Sequence, residues 1–445
     1  MTSVEFGAFV SMFLIGGLLG SLARLQLSRK FSLQLANVFF LCGCCLEYVA
    51  PSIALFFSAR LIQGVGGGIA YTVVPIYIAE VAPSSTRGTL GVLNQIAIVL
   101  GLILAQLAGV YLAKDTLWRL TVAVIPAVFP ILSSILLIFI AESPRYLLLH
   151  GNRVEARKHL SRLRGCADVA QEMEDIESSL GMGAKTDGED ESMDESDLES
   201  MGGLHTSVDE RSPILKSASR GGAPDQRSGT LKSILQDPGL RKPFFVALTL
   251  QFFQQGSGIK SIQFYSTTLF EEYLHANDDT SKLLTLLVSL TFLVCTVASL
   301  GYVDQIGRRK SLIISQSLVT VASISVVIGG TLSNSDTSSS FPLILTTAGV
   351  YFFAGSYHLG LASIPKMLMS ELIPTAALET AQAFSVAVYW ITNAIISTLT
   401  PYLVDSIGVL FFAVFVVTNG LGAVFTYLFL KETSGRSLEQ ATRPE

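Results

Sequence analysis

The segment KPFFVALTLQFFQQGSGIKSIQFY, residues 242–265, combines a long apolar run with glutamines, lysines and glycines. Gln251, Gln254 and Gln255 share one face of a helix, because residues three and four apart on a helix are neighbours. Amide side chains are costly against lipid, whereas an amide can both donate to and accept from a hydroxyl group of a solute. The segment therefore predicts a membrane helix whose polar face lines a water-filled cavity. Gly256 and Gly258 are expected to loosen the helix at this point.

Apolar runs recur along almost the whole chain. Of its 445 residues, 50% are hydrophobic and only 15% are charged, against about 25% charged residues in soluble domains. Runs of about 20 apolar residues match the thickness of a bilayer, and helices satisfy their own backbone polar groups there. The sequence predicts an all-α membrane protein with eleven spans: 4–23, 33–52, 58–81, 90–113, 119–140, 243–268, 283–303, 311–332, 341–366, 380–403 and 408–430.

Basic residues cluster in alternate loops between these runs. Lys30 follows the first run, Arg145 the fifth and Arg308 the seventh. The positive-inside rule places those loops and the C-terminus in the cytoplasm. Eleven crossings would then put Met1 outside, so we expect that a first helix of an original twelve is missing, with a genuine eleven-helix protein as the alternative.

The two halves of the chain resemble each other. SLARLQLSRKFSL (21–33) is similar to SLGYVDQIGRRKSL (299–312), and AEVAP (79–83) is similar to SELIP (370–374). Repeated halves with a substrate site between them are common in secondary transporters, and an acidic tract poor in aromatic residues separates them. The predicted organisation is an N-terminal bundle of five of six helices (1–145), a cytoplasmic linker with helical and disordered parts (146–242), a C-terminal six-helix bundle (243–430) and a cytoplasmic tail (431–445).

Five motifs, in order along the chain, resemble those of the sugar porter family of the major facilitator superfamily, and the overall pattern resembles its fungal members. They are RLIQGVGGGIAYTVVPIYIAEVAPSSTRG (60–88), AESPRYLL (141–148), QFFQQGSGIK (251–260), DQIGRRK (304–310) and KETSGRSLEQ (431–440). The resemblance implies two pseudo-repeated helical bundles that carry a hexose or related polyol by alternating access. It implies a transporter and not an enzyme, with no cofactor and with proton coupling left open.

The resemblance also implies roles for particular residues. The expected substrate-binding residues are Gln95, Gln251, Gln254, Gln255, Lys260 and Asn393. Charged residues at cytoplasmic helix ends are expected to pair when the halves close on that side: Arg29, Glu80, Arg87, Glu142, Arg145, Asp304, Arg308, Arg309, Glu371 and Glu432. Arg60 corresponds to the arginine near the coupling acid of proton-linked members. That acid lies in the first helix, so Arg60 is expected to have lost its partner.

The chain departs from the family pattern at several positions. Lys260 and Phe292 stand where the family has asparagines, and Lys366 stands where it has a tryptophan. Leu378 and Glu379 replace the usual Arg-Gly pair. The two lysines could attract an anionic solute or reach towards a membrane interface. Carriage of an anionic organic solute and a transport-dead sugar sensor therefore remain as alternative functions.

The linker contains DERSPIL (209–215), which resembles an acidic dileucine sorting signal formed by Glu210, Ile214 and Leu215. It predicts binding to sorting adaptors and a place in the vacuolar or plasma membrane. The other expected partners are the sugar or polyol substrate and the lipid bilayer, with no nucleic acid. The five cysteines show no metal-binding spacing, and no metal site is predicted.

Overall fold

The structure is a computed structural model of the chain. It describes residues 3–23, 27–83, 87–112, 120–166, 168–180, 230–274, 277–335, 341–373 and 375–432, and within them all regular secondary structure is helical. The helices are α1 (Ser3–Leu22), α2 (Arg29–Val49), α3 (Ile53–Val81), α4 (Arg87–Leu112), a π-helix (Leu120–Val124) that leads into α5 (Ile125–Phe139), α6 (Pro144–Leu149), α7 (Arg153–Arg164), α8 (Ala170–Ser179), α9 (Leu231–Gln236), α10 (Pro238–Gly256), α11 (Ile259–Leu274), α12 (Asp278–Ile306), α13 (Arg308–Ser335), α14 (Phe341–Leu359), α15 (Ile364–Leu372), α16 (Thr375–Ile407), a 3-10 turn (Gly408–Phe411) and α17 (Phe412–Phe429).

The long helices have the length and composition of membrane spans. Among the described residues, seven helical stretches are long and apolar enough to cross a bilayer, and one of them, Ala377–Phe429, contains the last two predicted spans. The first predicted span forms a shorter apolar helix, Gly7–Leu22. Large apolar side chains face outward along these helices, for example Ile138 and Phe139 at 68% and 67% exposure. An apolar exterior of this kind suits a hydrocarbon solvent.

Two predicted spans are interrupted. The span predicted at 243–268 is divided into α10 and α11 at Ser257 and Gly258, where Gly258 has a φ of +94°. A side chain could scarcely adopt this conformation, and a Cβ there would also press on the Phe415 ring. The freed carbonyl of Ser257 accepts a hydrogen bond from Asn419 Nδ2 at 3.1 Å. The break expected near these glycines is therefore held by α17.

The second interrupted span was predicted as one continuous helix at 341–366. Helix α14 instead ends at Leu359 and α15 begins at Ile364, with a turn between them. Gly360 and Pro365 flank this turn, but Leu361, Ala362 and Ser363 are as buried as the helices on either side, so no polar interruption separates the two helices in the sequence. Both breaks lie in the C-terminal half, and an amide of α10 joins them, as described below.

In the N-terminal half, glycines bring α1 and α3 into backbone contact. A Cβ on Gly64 would collide with the carbonyl oxygen of Phe13, and a Cβ on Gly68 would collide with that of Gly17. Small residues at such positions allow two membrane helices to approach closely, where dispersion contacts replace the hydrophobic effect as the source of attraction. The glycine-rich run therefore fixes the position of α3, which carries Arg60 and Tyr71.

The linker helices pack under the N-terminal half. Arg164 on α7 donates to the Glu172 carboxylate on α8 at 2.6 Å and to the Val81 carbonyl at the end of α3 at 3.0 Å. Leu148 and Leu160 are buried together between α6, α7 and α8. These contacts tie the short linker helices to the end of a membrane span.

Candidate functional site

A cluster of aromatic and polar side chains lies where the two halves meet, and we call it the central cluster. It contains Tyr71 and Gln95 from the N-terminal half and Lys366 and Tyr389 from the C-terminal half. The Lys366 ammonium donates to Gln95 Oε1 at 3.4 Å. It also lies 4.6 Å from the centre of the Tyr71 ring and 5.8 Å from that of Tyr389, within the range of a cation–π contact. The structure therefore places Gln95 between the halves, where Lys366 joins it.

The three glutamines of α10 are buried, with exposures of 1–2%. Gln254 Nε2 donates to the carbonyls of Leu361 and Ala362, both at 2.8 Å, in the turn between α14 and α15. Gln251 Nε2 donates to Gln254 Oε1. Both amides are predicted to face a water-filled cavity; in this structure the Gln254 amide instead satisfies two backbone carbonyls at the helix break, and the Gln251 amide binds Gln254.

The remaining predicted binding residues have different surroundings. Gln255 lies against the Tyr357 hydroxyl, and its Oε1 has no hydrogen-bond partner among the described residues. Asn393 Oδ1 accepts from the Ser397 hydroxyl at 3.0 Å. Lys260 Nζ donates to Gln263 Oε1 at 2.8 Å. Gln255 is thus the glutamine of α10 with a free acceptor.

The end of the N-terminal half that the basic loops predict to be cytoplasmic contains a charged cluster around Arg29, and we call this end the predicted cytoplasmic side. Its guanidinium forms two hydrogen bonds with the Glu80 carboxylate, at 2.9 and 3.1 Å. Glu142 accepts from the backbone N–H of Lys30 at 3.3 Å, where a carboxylate complements the positive end of a helix dipole. Arg145 lies within electrostatic range of Glu80.

The C-terminal half has an equivalent cluster around Arg308. Arg308 Nε lies 3.3 Å from the Glu371 carboxylate. Glu432 accepts from the backbone N–H groups of Arg308 and Arg309 at 2.8 and 3.2 Å, so it caps α13 as Glu142 caps α2. Arg309 also donates to the Tyr427 carbonyl at 2.6 Å. These predicted gate residues pair within their own halves.

Among the described residues, an ion pair crosses between the halves at the predicted cytoplasmic side. Arg29 on α2 contacts the carboxylate of Glu379 on α16 in addition to that of Glu80. Glu379 was not among the predicted gate residues. Its signal in the sequence was an acidic residue at the place where the family carries Arg-Gly. The side chains of Arg87 and Asp304 lie outside the described part of the structure, as do Glu210, Ile214 and Leu215.

Arg60 has a carboxylate partner, contrary to the expectation from the sequence. Its Nε lies 3.2 Å from Glu47 Oε1, an ion pair without hydrogen-bond geometry. Gln63 Nε2 donates to the other oxygen of Glu47 at 2.7 Å, and the Phe9 ring lies 4.3 Å from the guanidinium. Glu47 stands alone as a carboxylate within an apolar run, and an ionisable residue inside a membrane helix is a functional candidate by default.

Comparison with known proteins agrees with this architecture. Residues 1–444 match the family described as Sugar (and other) transporter. The chain is 29% identical over 446 residues to solute carrier family 2, facilitated glucose transporter member 3 of Ovis aries. This alignment covers 98% of this chain and 80% of the relative. The chain is 27% identical over 446 residues to member 2 of Rattus norvegicus, covering 99% and 76%.

A solved structure shares the fold across nearly the whole chain. The proton:xylose symporter XylE of the major facilitator superfamily, bound to 6-bromo-6-deoxy-D-glucose, superposes with a TM-score of 0.74 at 25% identity. The match covers 98% of this chain and 88% of XylE. The relatives are membrane carriers and not enzymes. The chain therefore belongs to the sugar transporter family of the major facilitator superfamily.

Proposed function

We propose that this protein carries a hexose or a related carbohydrate across a membrane by alternating access, binding it between the two halves at the central cluster. The observation that supports the proposal best is the contact between Lys366 and Gln95, because it joins one side chain from each half at a polar site within the apolar bundle. A solute bound there would touch both halves, and relative movement of the halves would expose it to each side in turn.

Uptake into proteoliposomes tests the proposal. Labelled glucose and xylose would be offered to vesicles that contain the purified full-length chain, with exchange against the same unlabelled sugar inside. Gln95→Ala should reduce uptake by about 2- to 13-fold, because it removes a hydrogen-bonding amide contributed by the N-terminal half. Gln236→Ala on the exposed surface of α9 is the matched control and should leave uptake unchanged. Absence of exchange with any carbohydrate would refute the proposal.

The same vesicles distinguish facilitative from proton-coupled transport. Accumulation of the sugar above its external concentration under an inward proton gradient would show coupling. Glu47 is the carboxylate beside Arg60, and coupling is expected to act through it. Glu47→Gln should then abolish accumulation but retain exchange at equal pH. Exchange with no accumulation in the unmodified protein would assign facilitative transport.

We further propose that the chain resides in the vacuolar or plasma membrane and is directed there through Glu210, Ile214 and Leu215. The acidic dileucine pattern supports this assignment. A fluorescently tagged protein should change its membrane when Ile214 and Leu215 are replaced by alanine. An unchanged distribution would refute the sorting role and leave the transport proposal untouched.

A further inference from the structure

Lys366 is placed so that its charge lies between the halves. It belongs to α15, directly after the turn that separates α14 from α15. The neighbours described above offer its ammonium one amide oxygen and two aromatic rings. Neither Lys366 nor Lys260 forms an ion pair with a carboxylate in the described part of the chain. A buried ammonium without a counter-ion is unfavourable in a low-dielectric site.

Lys260 increases this imbalance. It lies on the first turn of α11, where its ammonium binds Gln263 Oε1 and stands 5.8 Å from the centre of the Phe264 ring. Lys260 lies six residues after Gln254 and Lys366 lies four residues after Ala362, and the hydrogen bond from Gln254 Nε2 to the Ala362 carbonyl joins these two segments at one junction. Two like charges repel each other strongly where the dielectric constant is low, so an anion between them would stabilise both. The electrostatics of this region therefore favour a negatively charged ligand.

Two buried acceptors close to the same junction indicate that the ligand also bears hydroxyl groups: Gln255 follows Gln254, and His358 lies three residues before Leu361. His358 is 1% exposed, and its Nδ1 lies 2.9 Å from Thr296 Oγ1. The Thr296 hydroxyl donates to the Phe292 carbonyl, so this pattern assigns the proton of His358 to Nδ1. Its Nε2 is then an acceptor, and it has no partner among the described residues. Gln255 Oε1 is a second buried acceptor that has no hydrogen-bond partner among the described residues.

We propose that the substrate of this carrier is an anionic carbohydrate, a hexose-derived carboxylate such as a uronate or an aldonate. This inference rests on the proposed transport function. The carboxylate binds the ammonium groups of Lys366 and Lys260, and hydroxyl groups of the sugar donate to Gln255 Oε1 and His358 Nε2. A small inorganic anion would neutralise the lysine charges but would leave the two acceptors without hydrogen-bond donors. A neutral hexose would donate to the two acceptors but would leave the lysine charges without a counter-ion.

Competition in the exchange assay tests this inference. Vesicles that contain the unmodified chain would be offered labelled glucuronate, gluconate and glucose at equal concentrations, with kcat/KM measured for each. The acids should exceed glucose by about 10- to 100-fold, the range for a hydrogen bond to a charged group. Lys366→Met should lower this acid-to-glucose ratio by a similar factor. Lys282→Met, which removes one charge at the far end of α12, should leave the ratio unchanged.

A binding measurement covers the case in which Lys366→Met does not fold. The unmodified protein in detergent should melt at a higher temperature in glucuronate than in equimolar glucose or sodium chloride. Exchange of glucose that equals or exceeds that of the acids, with no preferential thermal shift, would overturn the inference while the proposed function survives. Exchange of no carbohydrate of either kind would overturn both.

Discussion

Replacement of Glu379 by glutamine should make the two halves separate more often at the predicted cytoplasmic side. Glu379 and Arg29 form the described ion pair that crosses between the halves on this side, so they interact only while the halves are closed there. The Glu379 side chain is 61% exposed and that of Arg29 only 8%. Exposed ion pairs contribute roughly 0.2–1 kcal/mol. The ratio of open to closed states should therefore rise about 1.5- to 5-fold.

Distances between spin labels would measure this shift. Labels at Val154 on α7 and Arg241 on α10 occupy exposed positions on the predicted cytoplasmic side, one attached to each half, in a background that lacks the native cysteines. Glu379→Gln should enlarge the longer-distance population. Glu155→Gln is the control, because Glu155 pairs with Lys158 on the same exposed helix and does not bridge the halves.

Glu80 provides the contrast within the same cluster. It binds the same guanidinium, but it belongs to the same half as Arg29 and is only 9% exposed. Glu80→Ala should therefore lower the unfolding temperature, because loss of one partner of a buried pair costs about 3–5 kcal/mol. Unchanged distances in Glu379→Gln, or the same loss of stability in both variants, would refute the assignment of Glu379 to the contact between the halves.

Three further predictions concern stability. Glu47→Ala leaves Arg60 in the membrane without its carboxylate and should cost about 3–5 kcal/mol, seen as a lower unfolding temperature in detergent. Gly68→Val drives a side chain against the backbone of α1 and should cost about 1–3 kcal/mol in the same measurement. The hydrogen bond from Arg164 lowers the pKa of Glu172. The contact between α7 and α8 is therefore stable above the pKa of an unfolded glutamate, about 4.3, and weakens as the pH falls through the lowered pKa of the folded state. Arg164→Ala should remove this acid dependence from the amide hydrogen exchange of α8.

Each of these predictions has a contrary outcome. An unfolding temperature of Glu47→Ala within error of the unmodified protein would mean that Arg60 is solvated. A Cβ on Gly101 would meet no neighbouring atom within 4 Å, so equal effects of Gly101→Val and Gly68→Val would remove the packing argument. Protection factors of the α8 amides that stay constant as the pH falls below about 4.3 would show that the Arg164–Glu172 pair does not hold the two helices.

The sequence was sufficient for features that depend on length and composition. Nine of the eleven predicted spans each agree with one helix to within about five residues, and the runs at 243–268 and 341–366 are the two that are interrupted. The agreement arises because a bilayer imposes a similar length on every helix that crosses it. Family motifs led to Gln95 and Arg29, which the structure places at the contact between the halves and in the charged cluster at the predicted cytoplasmic side. The turn between α14 and α15 could not be found in this way, since it is as apolar as its surroundings and is held by an amide more than a hundred positions earlier in the chain.

Ion pairs between residues far apart in the chain could not be predicted from the sequence either. Glu47 could be identified as an isolated charge in an apolar run, but its partner depends on how α2 packs against α3. Glu379 could be identified as a departure from the family, but its role depends on the position of α16 relative to α2. Side-chain contacts of this kind are set by tertiary packing, and neither periodicity nor local propensity encodes them.

The two hydrogen bonds from Gln254 to the carbonyls of Leu361 and Ala362 have a mechanical consequence. Among the described residues, this amide is the side-chain donor to both oxygens, so it connects the two interrupted spans. A solute that accepted hydrogen bonds from this amide would leave both carbonyls without a side-chain donor. Binding of such a solute and the present geometry of the two helix breaks therefore compete for the same nitrogen, Gln254 Nε2. A solute that took this nitrogen would weaken the contact between the breaks and allow them to move apart.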